Sequence, residues 1–426
     1  MFCYQCSQTL PGGCKVHGVC GKDEDVASLQ DILIFGLKGI SAYNYHAKRL
    51  GFSEPQIDFF INEALFTTLT NVNFDADRFI EYVLRAGQIN IKAMEILDRA
   101  HVEKFGFPQV TKVSTGTKEG HGILVTGHDL LDLYELLKQT EDKGINIYTH
   151  GEMLPAHGYP ELKKFKHLVG NWGSAWAKQK EEFDDFPGAI LATTNCVLIP
   201  KESYRDRLFT CSVAGIKGVK HIKNMDFSDL IKKALSLPKL KAKEGRTILT
   251  GFHYRNVLEL ADKLISLIKE GKIRHFFLIG GCDTPGKKGE YYREFAKLVP
   301  KDCLILTLAC GKYRFNDLDF GQIEGIPRLI DLGQCNNAYS AIEIVKALAD
   351  ALNTDLNNLP VSLVLTWFEQ KAVAILLSLL ALGIKGIYIG PVAPEFISKG
   401  IFNVLRDKFD IRLINRPEED LKEILK

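Results

Sequence analysis

Apolar positions follow two rhythms along this chain. From Asp25 to Leu50 they recur at helical spacing and stop at Gly51, a residue type suited to closing a helix. Ser53 with Pro55 predicts a second helix start, running to about Leu69. A third helix is predicted from about Asp75 to Lys104. Around Phe105–Gly122 the sequence FGFPQVTKVSTGTKEGHG shifts to Gly, Thr, Pro and Lys and reads as a linker. Beyond it, short β-rich runs alternate with helical ones: strand Gly122–Thr126, helix Asp129–Gln139, then strands Ile145–Tyr148 and Ala189–Thr193. A basic, proline-containing stretch, Leu237–Arg246, marks a second boundary. The alternation then restarts with strand Thr247–Thr250 and helix Val257–Lys269. Strands His275–Ile279, Leu304–Leu308, Arg328–Asp331, Ser362–Leu365, Gly386–Ile389 and Ile411–Ile414 follow. Such alternation builds parallel sheets in doubly wound α/β domains. The pattern predicts an α/β multidomain chain. A cysteine loop and helical domain occupies 1–112, and two Rossmann-like doubly wound domains occupy 113–246 and 247–426.

Composition narrows the function classes. A chain of 426 residues fits two or three domains. Hydrophobic residues at 46% and charged residues at 25% describe an ordinary globular protein. A formal net charge of +2 gives no case for nucleic acid or an anionic membrane. The longest apolar run, Ala372 to Ile384, is thirteen residues, too short for a bilayer and suited to a buried helix. The start MFCYQC carries no basic segment followed by an apolar one, so a cytoplasmic location is expected. Neither a Walker A motif nor GxGxxG appears, so nothing argues for nucleotide binding.

The chemistry begins at the N-terminus. Cys3, Cys6, Cys14 and Cys20 are spaced C-x2-C-x7-C-x5-C. Four thiols are the ligand count of one iron–sulfur cluster or one structural zinc. The surrounding loop holds little apolar sequence, so something other than a hydrophobic core must tie it down. Disulfides suit a short secreted chain, which this is not. Zinc prefers two C-x2-C pairs, and the second pair here is spaced by five. The spacing favours a cluster over zinc.

In open α/β sheets ligands bind beyond the carboxyl ends of the strands. Seven predicted strand ends are followed by His128, Glu152, Cys196, Cys282, Cys310, Cys335 and Glu369. Each alone has a bland explanation: a hydrogen-bonded core histidine, a small core thiol, a first-turn acid of the next helix. Seven metal-ligand types at one edge are harder to dismiss. Thiolates suit sulfur-bridged iron, while carboxylate and imidazole suit iron holding oxygen. One mixed iron–sulfur–oxygen cluster accounts for all seven. Cys303 opens a strand, at the end opposite the site, and reads as structural. Cys211 is undecided. His150 and His157 flank Glu152, but the spacing is not HExxH, so zinc there is disfavoured.

These residues resemble the hybrid cluster protein family, also called prismane or hydroxylamine reductase. The carrying segments are CYQCSQT, GHDLLDL, THGEMLPAHGYP, GNWGSAW, TTNC, GGCD, LACGKYRFN, DLGQCNNAYSA and WFEQKAVAILL, spread over nearly the whole chain. The resemblance implies an N-terminal [4Fe–4S] cluster on Cys3, Cys6, Cys14 and Cys20. It also implies a hybrid [4Fe–2O–2S] cluster on His128, Glu152, Cys196, Cys282, Cys310, Cys335 and Glu369. It makes Cys282 the thiol that carries a persulfide in some states. Longer members hold about twice the helical sequence before the GHD motif, so this chain is similar to the short class.

The implied activity is two-electron reduction of hydroxylamine to ammonia and water, with the N-terminal cluster relaying electrons from a redox protein of unknown identity. Glu369 is expected to change its ligation and Lys371 to donate a proton or hold an anion. Cys282 is expected at an accessible edge of the site, where a thiolate is nucleophilic. Nitric oxide reduction, or nitrosyl transfer to other proteins' thiols through Cys282 under nitrosative stress, are the rival readings. The short helical domain leaves homodimerisation open.

Overall fold

The computed structural model describes residues 3–366 and 369–426. Met1, Phe2 and the Trp367–Phe368 pair of the WFEQ segment lie outside the described residues. Contacts divide the chain into two units, Met1–Ala100 with Ala349–Lys426, and His101–Leu348.

The first unit is built on helices α1 (Glu24–Arg49), α2 (Pro55–Thr67) and most of α3 (Ala76–Phe105). Asp23 caps α1, its carboxylate accepting the Val26 N–H at 2.8 Å. Pro55 sits at the first turn of α2, where its missing N–H costs nothing. The apolar run predicted as a buried helix is the helix Gln370–Ala381. It packs against α1 and α3 through glycines. A Cβ on Gly39 would lie 2.6 Å from Ala374, and one on Gly87 would lie 2.1 Å from the Leu377 carbonyl oxygen. Asn90 Nδ2 donates to Ser378 Oγ at 2.9 Å, which locks the register of the two helices. In the same unit β14 (Val361–Thr366), β15 (Tyr388–Gly390) and β16 (Arg412–Leu413) run parallel in that order.

The second unit holds thirteen strands. They are β1 (Thr111–Ser114), β2 (His121–Thr126), β3 (Ile145–His150), β4 (Leu168–Asn171), β5 (Ala189–Ala192), β6 (Leu208–Cys211), β7 (Lys220–Ile222), β8 (Thr247–Thr250), β9 (His275–Gly281), β10 (Cys303–Thr307), β11 (Gln322–Ile323), β12 (Ile326–Pro327) and β13 (Leu329–Asp331). Six of them form a parallel sheet in the order β4-β3-β2-β5-β6-β7. Its core gathers Leu124, Tyr148, Phe183, Phe186 and Ile190, all buried. Strands β13, β10 and β9 also run parallel in that order. The α/β reading with a helical N-terminal region therefore holds.

Three local expectations change. The segment read as a linker contains β1, and the strand expected to open the last parallel sheet, β8, pairs antiparallel with β1 instead. Thr117 and Gly120 also bridge to Lys243 and Leu240, so the two stretches read as boundaries satisfy backbone groups on each other. The predicted helix Val257–Lys269 is broken into Tyr254–Leu258 and Ala261–Lys269.

Candidate metal centre

Three of the predicted residues, His128, Glu152 and Cys335, are brought together at strand ends. β2 runs out at Thr126, and Gly127 turns the chain at φ 108°. A Cβ there would lie 2.3 Å from Thr193 Oγ1, so only glycine lets these two strand ends meet. His128 follows and is 1% exposed. Its backbone N–H donates to Thr194 Oγ1 at 2.9 Å, and its ring Nδ1 lies 2.9 Å from the same oxygen. That leaves Nε2 facing the site. Asp129 then caps helix α4 (Leu130–Thr140), accepting the Leu131 and Asp132 N–H groups at 3.0 Å.

Glu152 lies in the short 3-10 helix that follows β3. It is buried, with Oε2 accepting the Cys335 N–H at 2.8 Å and standing 4.0 Å from His128 Nε2. The Glu152 carbonyl accepts Gln334 Nε2 at 2.5 Å, and the Gly151 carbonyl accepts the Tyr313 hydroxyl at 2.8 Å. These bonds tie the loop after β3 to the loops after β10 and β13. One imidazole nitrogen, one carboxylate oxygen and one thiol, from His128, Glu152 and Cys335, lie within 4.8 Å of one another, all buried.

Cys310 is 3% exposed, at the end of β10. Burial pushes its thiol pKa well up, and the nearby Glu152, Cys196 and Cys282 push it further. Four acidic groups from four strand ends thus feel one another in a buried place. Left to themselves these thiols keep their protons, and a bound cation would let them ionise. A thiolate-rich set with a carboxylate and an imidazole fits iron–sulfur ligation.

Cys196 has φ 67°, a conformation rare for a residue with a Cβ, and its carbonyl accepts Gln179 Nε2. Cys196 is the half-exposed thiol of the group. Cys282 follows the Gly280–Gly281 pair and is only 9% exposed, so the expected accessible edge is not where it sits. The two glycines explain why. A Cβ on Gly280 would lie 2.9 Å from the Leu308 carbonyl oxygen, so the backbone packs inward beside β10.

Glu369 and Lys371 belong to the first unit. Glu369 caps the helix Gln370–Ala381, its Oε1 accepting the Lys371 N–H at 3.2 Å. Burial raises its carboxyl pKa, while the Lys371 charge and the helix N–H groups pull the other way. Lys371 is 1% exposed.

In the N-terminal loop, Cys3 and Cys14 exchange backbone hydrogen bonds at 3.1 and 2.9 Å. Cys14 is buried, and Cys3, Cys6 and Cys20 are half-buried. A hydrogen bond from Thr9 lowers the Cys6 thiol pKa, as do neighbouring backbone N–H groups. The group found within 4.8 Å among the described residues includes none of these four thiols, nor Cys196, Cys282, Cys310 or Glu369.

The other candidates find structural partners. Cys303 opens β10, is fully buried, and its thiol is pushed up to about 11, first by burial and then by Asp302. Cys211 ends β6 with Sγ 3.3 Å from Asp132 Oδ2. His150 lies 3.0 Å from both Thr126 Oγ1 and Glu182 Oε2, and His157 lies 3.1 Å from Thr149 Oγ1. Sequence reasoning passed over Thr194, Tyr313 and Gln334. Each stands within three residues of a ligand-type side chain, which is the signal that was available. Among the described residues no helix is long and apolar enough to cross a membrane.

A sequence model of the Prismane/CO dehydrogenase family matches residues 1–83 and 75–422. The chain is 66% identical over 426 residues to a hydroxylamine reductase of Moorella thermoacetica, covering all of both chains. It is 57% identical over 428 residues to one of Thermotoga maritima, covering 100% of this chain and 99% of that one. Among solved structures it is similar to carbon monoxide dehydrogenase IV of Carboxydothermus hydrogenoformans, with a TM-score of 0.79. That likeness is at 16% identity, covers 100% of this chain and 91% of that one, and speaks to fold.

Proposed function

The chain belongs to the Prismane/CO dehydrogenase family, and from that premise we propose that its strand-end residues hold the working cofactor of a hydroxylamine reductase. Hydroxylamine takes two electrons and two protons, the N–O bond breaks, and ammonia and water leave. The observation that carries this reading is the buried meeting of His128, Glu152 and Cys335 at the carboxyl ends of parallel strands. Full-length similarity to hydroxylamine reductases supports the substrate.

The cofactors are iron–sulfur clusters. We assign a [4Fe–4S] cluster to Cys3, Cys6, Cys14 and Cys20, and a hybrid [4Fe–2O–2S] cluster to His128, Glu152, Cys196, Cys282, Cys310, Cys335 and Glu369. When bound, the hybrid cluster supplies a Lewis-acidic iron for the N–O bond and an acceptor for single electrons. The chain does the rest. Thr194 holds the His128 ring so that Nε2 is presented. The Cys335 N–H aims the Glu152 carboxylate. Buried Lys371 would donate a proton or hold an anion, and Glu369, one of the residues that would hold the cluster, is the one assigned to change its ligation. Burial of His128, Glu152, Cys310, Cys335 and Lys371 keeps bulk water from these side chains, so protons arrive through positioned groups.

The division 1–112, 113–246 and 247–426 is retained as a proposal about folding domains. A redox protein as donor and a cytoplasmic location belong to the same reading. So does a homodimer, favoured by Phe59, Phe66 and Leu69, which are 66%, 63% and 53% exposed on and beside α2.

Anaerobic turnover with a reduced viologen dye tests the function. Hydroxylamine should be consumed with one ammonia per two electrons, faster than nitric oxide is consumed. Nitrous oxide production from nitric oxide without ammonia production from hydroxylamine would replace this reading with the rival one.

A further inference from the structure

Lys312 has no exposure to solvent, although lysine rarely sits fully inside a protein. It lies two residues beyond Cys310, and buried Asp331 lies four residues before Cys335. Lys312 Nζ donates to Asp331 Oδ1 at 2.6 Å and to the Gly333 carbonyl at 2.8 Å. The Gly333 N–H donates back to Asp331 Oδ1 at 3.0 Å, and Thr250 Oγ1 donates to Asp331 Oδ2 at 3.0 Å. The Gly333 carbonyl accepts a second bond, from the Ala309 N–H at 2.9 Å. Ala309 has φ 63° and ψ −166°, a region that glycine tolerates and a residue with a Cβ does not. The residue before Cys310 is therefore held in a strained conformation by the same carbonyl that the lysine grips.

We propose that Lys312 and Asp331 are positioning residues: a buried clamp that fixes the loops carrying Cys310 and Cys335 to each other and keeps Ala309 strained, so both thiols are set before iron binds. The proposal rests on reading the strand-end residues as ligands. A buried ion pair is a poor stabiliser. Replacing both partners by apolar side chains commonly leaves a protein as stable as before, whereas removing one partner strands a buried charge. Stability alone therefore does not account for the pair. Its bonds to Gly333 do what an apolar pair cannot, because they fix where that carbonyl points and hence where Ala309 and Cys310 lie.

The test uses the full chain, purified without oxygen, as the wild type, the double variant Lys312→Met/Asp331→Leu, and that double variant with Ala309→Gly added. Readouts are the urea midpoint, iron retention against a chelator, and the EPR signal of the strand-end cluster. The double variant should keep a midpoint close to wild type, lose strand-end iron roughly tenfold faster, and show an altered or absent signal. Glycine at 309 should restore part of the retention, because it adopts the strained conformation without being held there. Wild-type retention and signal in the folded double variant overturn the clamp. So does a double variant that fails to fold, which makes the pair a folding requirement, or an intact fold that glycine does not rescue. A wild type that holds only about four irons and shows no strand-end signal instead condemns the ligand reading beneath it.

Discussion

Replacing Thr194 by valine removes one oxygen and keeps the shape. That oxygen serves His128 twice, at 2.9 Å from the backbone nitrogen and 2.9 Å from Nδ1. Both groups are buried, so neither gains water when the hydroxyl goes. Orphaning a buried backbone N–H costs about 1–3 kcal/mol of fold stability. Losing the partner of His128 Nδ1 loosens the hold on the ring and on which nitrogen carries its proton. Changes of this kind cost about 10–100-fold in metal affinity, or about 1.4–2.7 kcal/mol. Thr194→Val should therefore lower the urea midpoint modestly and speed iron loss from the strand-end site by at least about tenfold. Iron in the Cys3/Cys6/Cys14/Cys20 loop should be unaffected. Thr194→Ser retains the hydroxyl and should behave as wild type. Anaerobic chelator kinetics with EPR on the three proteins read both effects. If valine holds iron as long as threonine does, or if serine fails equally, His128 is not oriented by this residue.

Gly87→Ala should destabilise by about 1 kcal/mol, because overpacking costs about 1–3 kcal/mol and the Leu377 carbonyl cannot swing aside, while alanine returns about 1 kcal/mol of helix propensity; a raised urea midpoint would show that the two helices separate freely. His157, fully enclosed, has its pKa pushed down to about 4 by burial, below the 6.5 of an exposed histidine. The unfolded chain therefore takes the proton first, so this stability is complete above pH 6.5 and is lost as pH falls toward 4, about 3 kcal/mol in all. His157→Gln should flatten the difference in urea midpoint between pH 7 and 5, and an unchanged slope contradicts the assignment. Cys282→Ala should abolish hydroxylamine reduction in a folded chain. Cys303→Ala, at the far end of its strand, should keep turnover and lose about 1 kcal/mol; loss of activity there with normal folding would refute the strand-end geometry.

Much of this architecture was legible because apolar periodicity and strand-end position are local properties. β2, β3, β5, β9, β10, β13 and β14 lie where runs such as ILVT and FFLI placed them, and the residue types beyond their ends pointed to metal. What was not legible depends on partners distant in sequence. β1 and β8 read as a linker and a parallel strand, because nothing in TKVS or TILT announces that they pair with each other. The short strands β4, β6 and β7 do not read as strands, although β5 and β13 are just as short; LVGN and KHI mix glycine or polar residues into the run. The burial of Cys282 follows from how closely Gly280 approaches Leu308, a contact between strands. Lys312 looks like any surface lysine in CGKYRFN until Asp331 and Gly333 are seen around it.

The most direct test counts iron and product together. The wild type and the double variant Cys3→Ser/Cys6→Ser are purified without oxygen, and iron per chain is measured beside ammonia formed from hydroxylamine with a dye that can reduce the strand-end site itself. About eight irons should fall to about four in the variant, with ammonia production from the dye retained and the strand-end EPR signal unchanged. A wild type that is fully active with about four irons, or a variant that keeps about four irons and makes no ammonia, would contradict a working cluster at His128, Glu152, Cys196, Cys282, Cys310, Cys335 and Glu369.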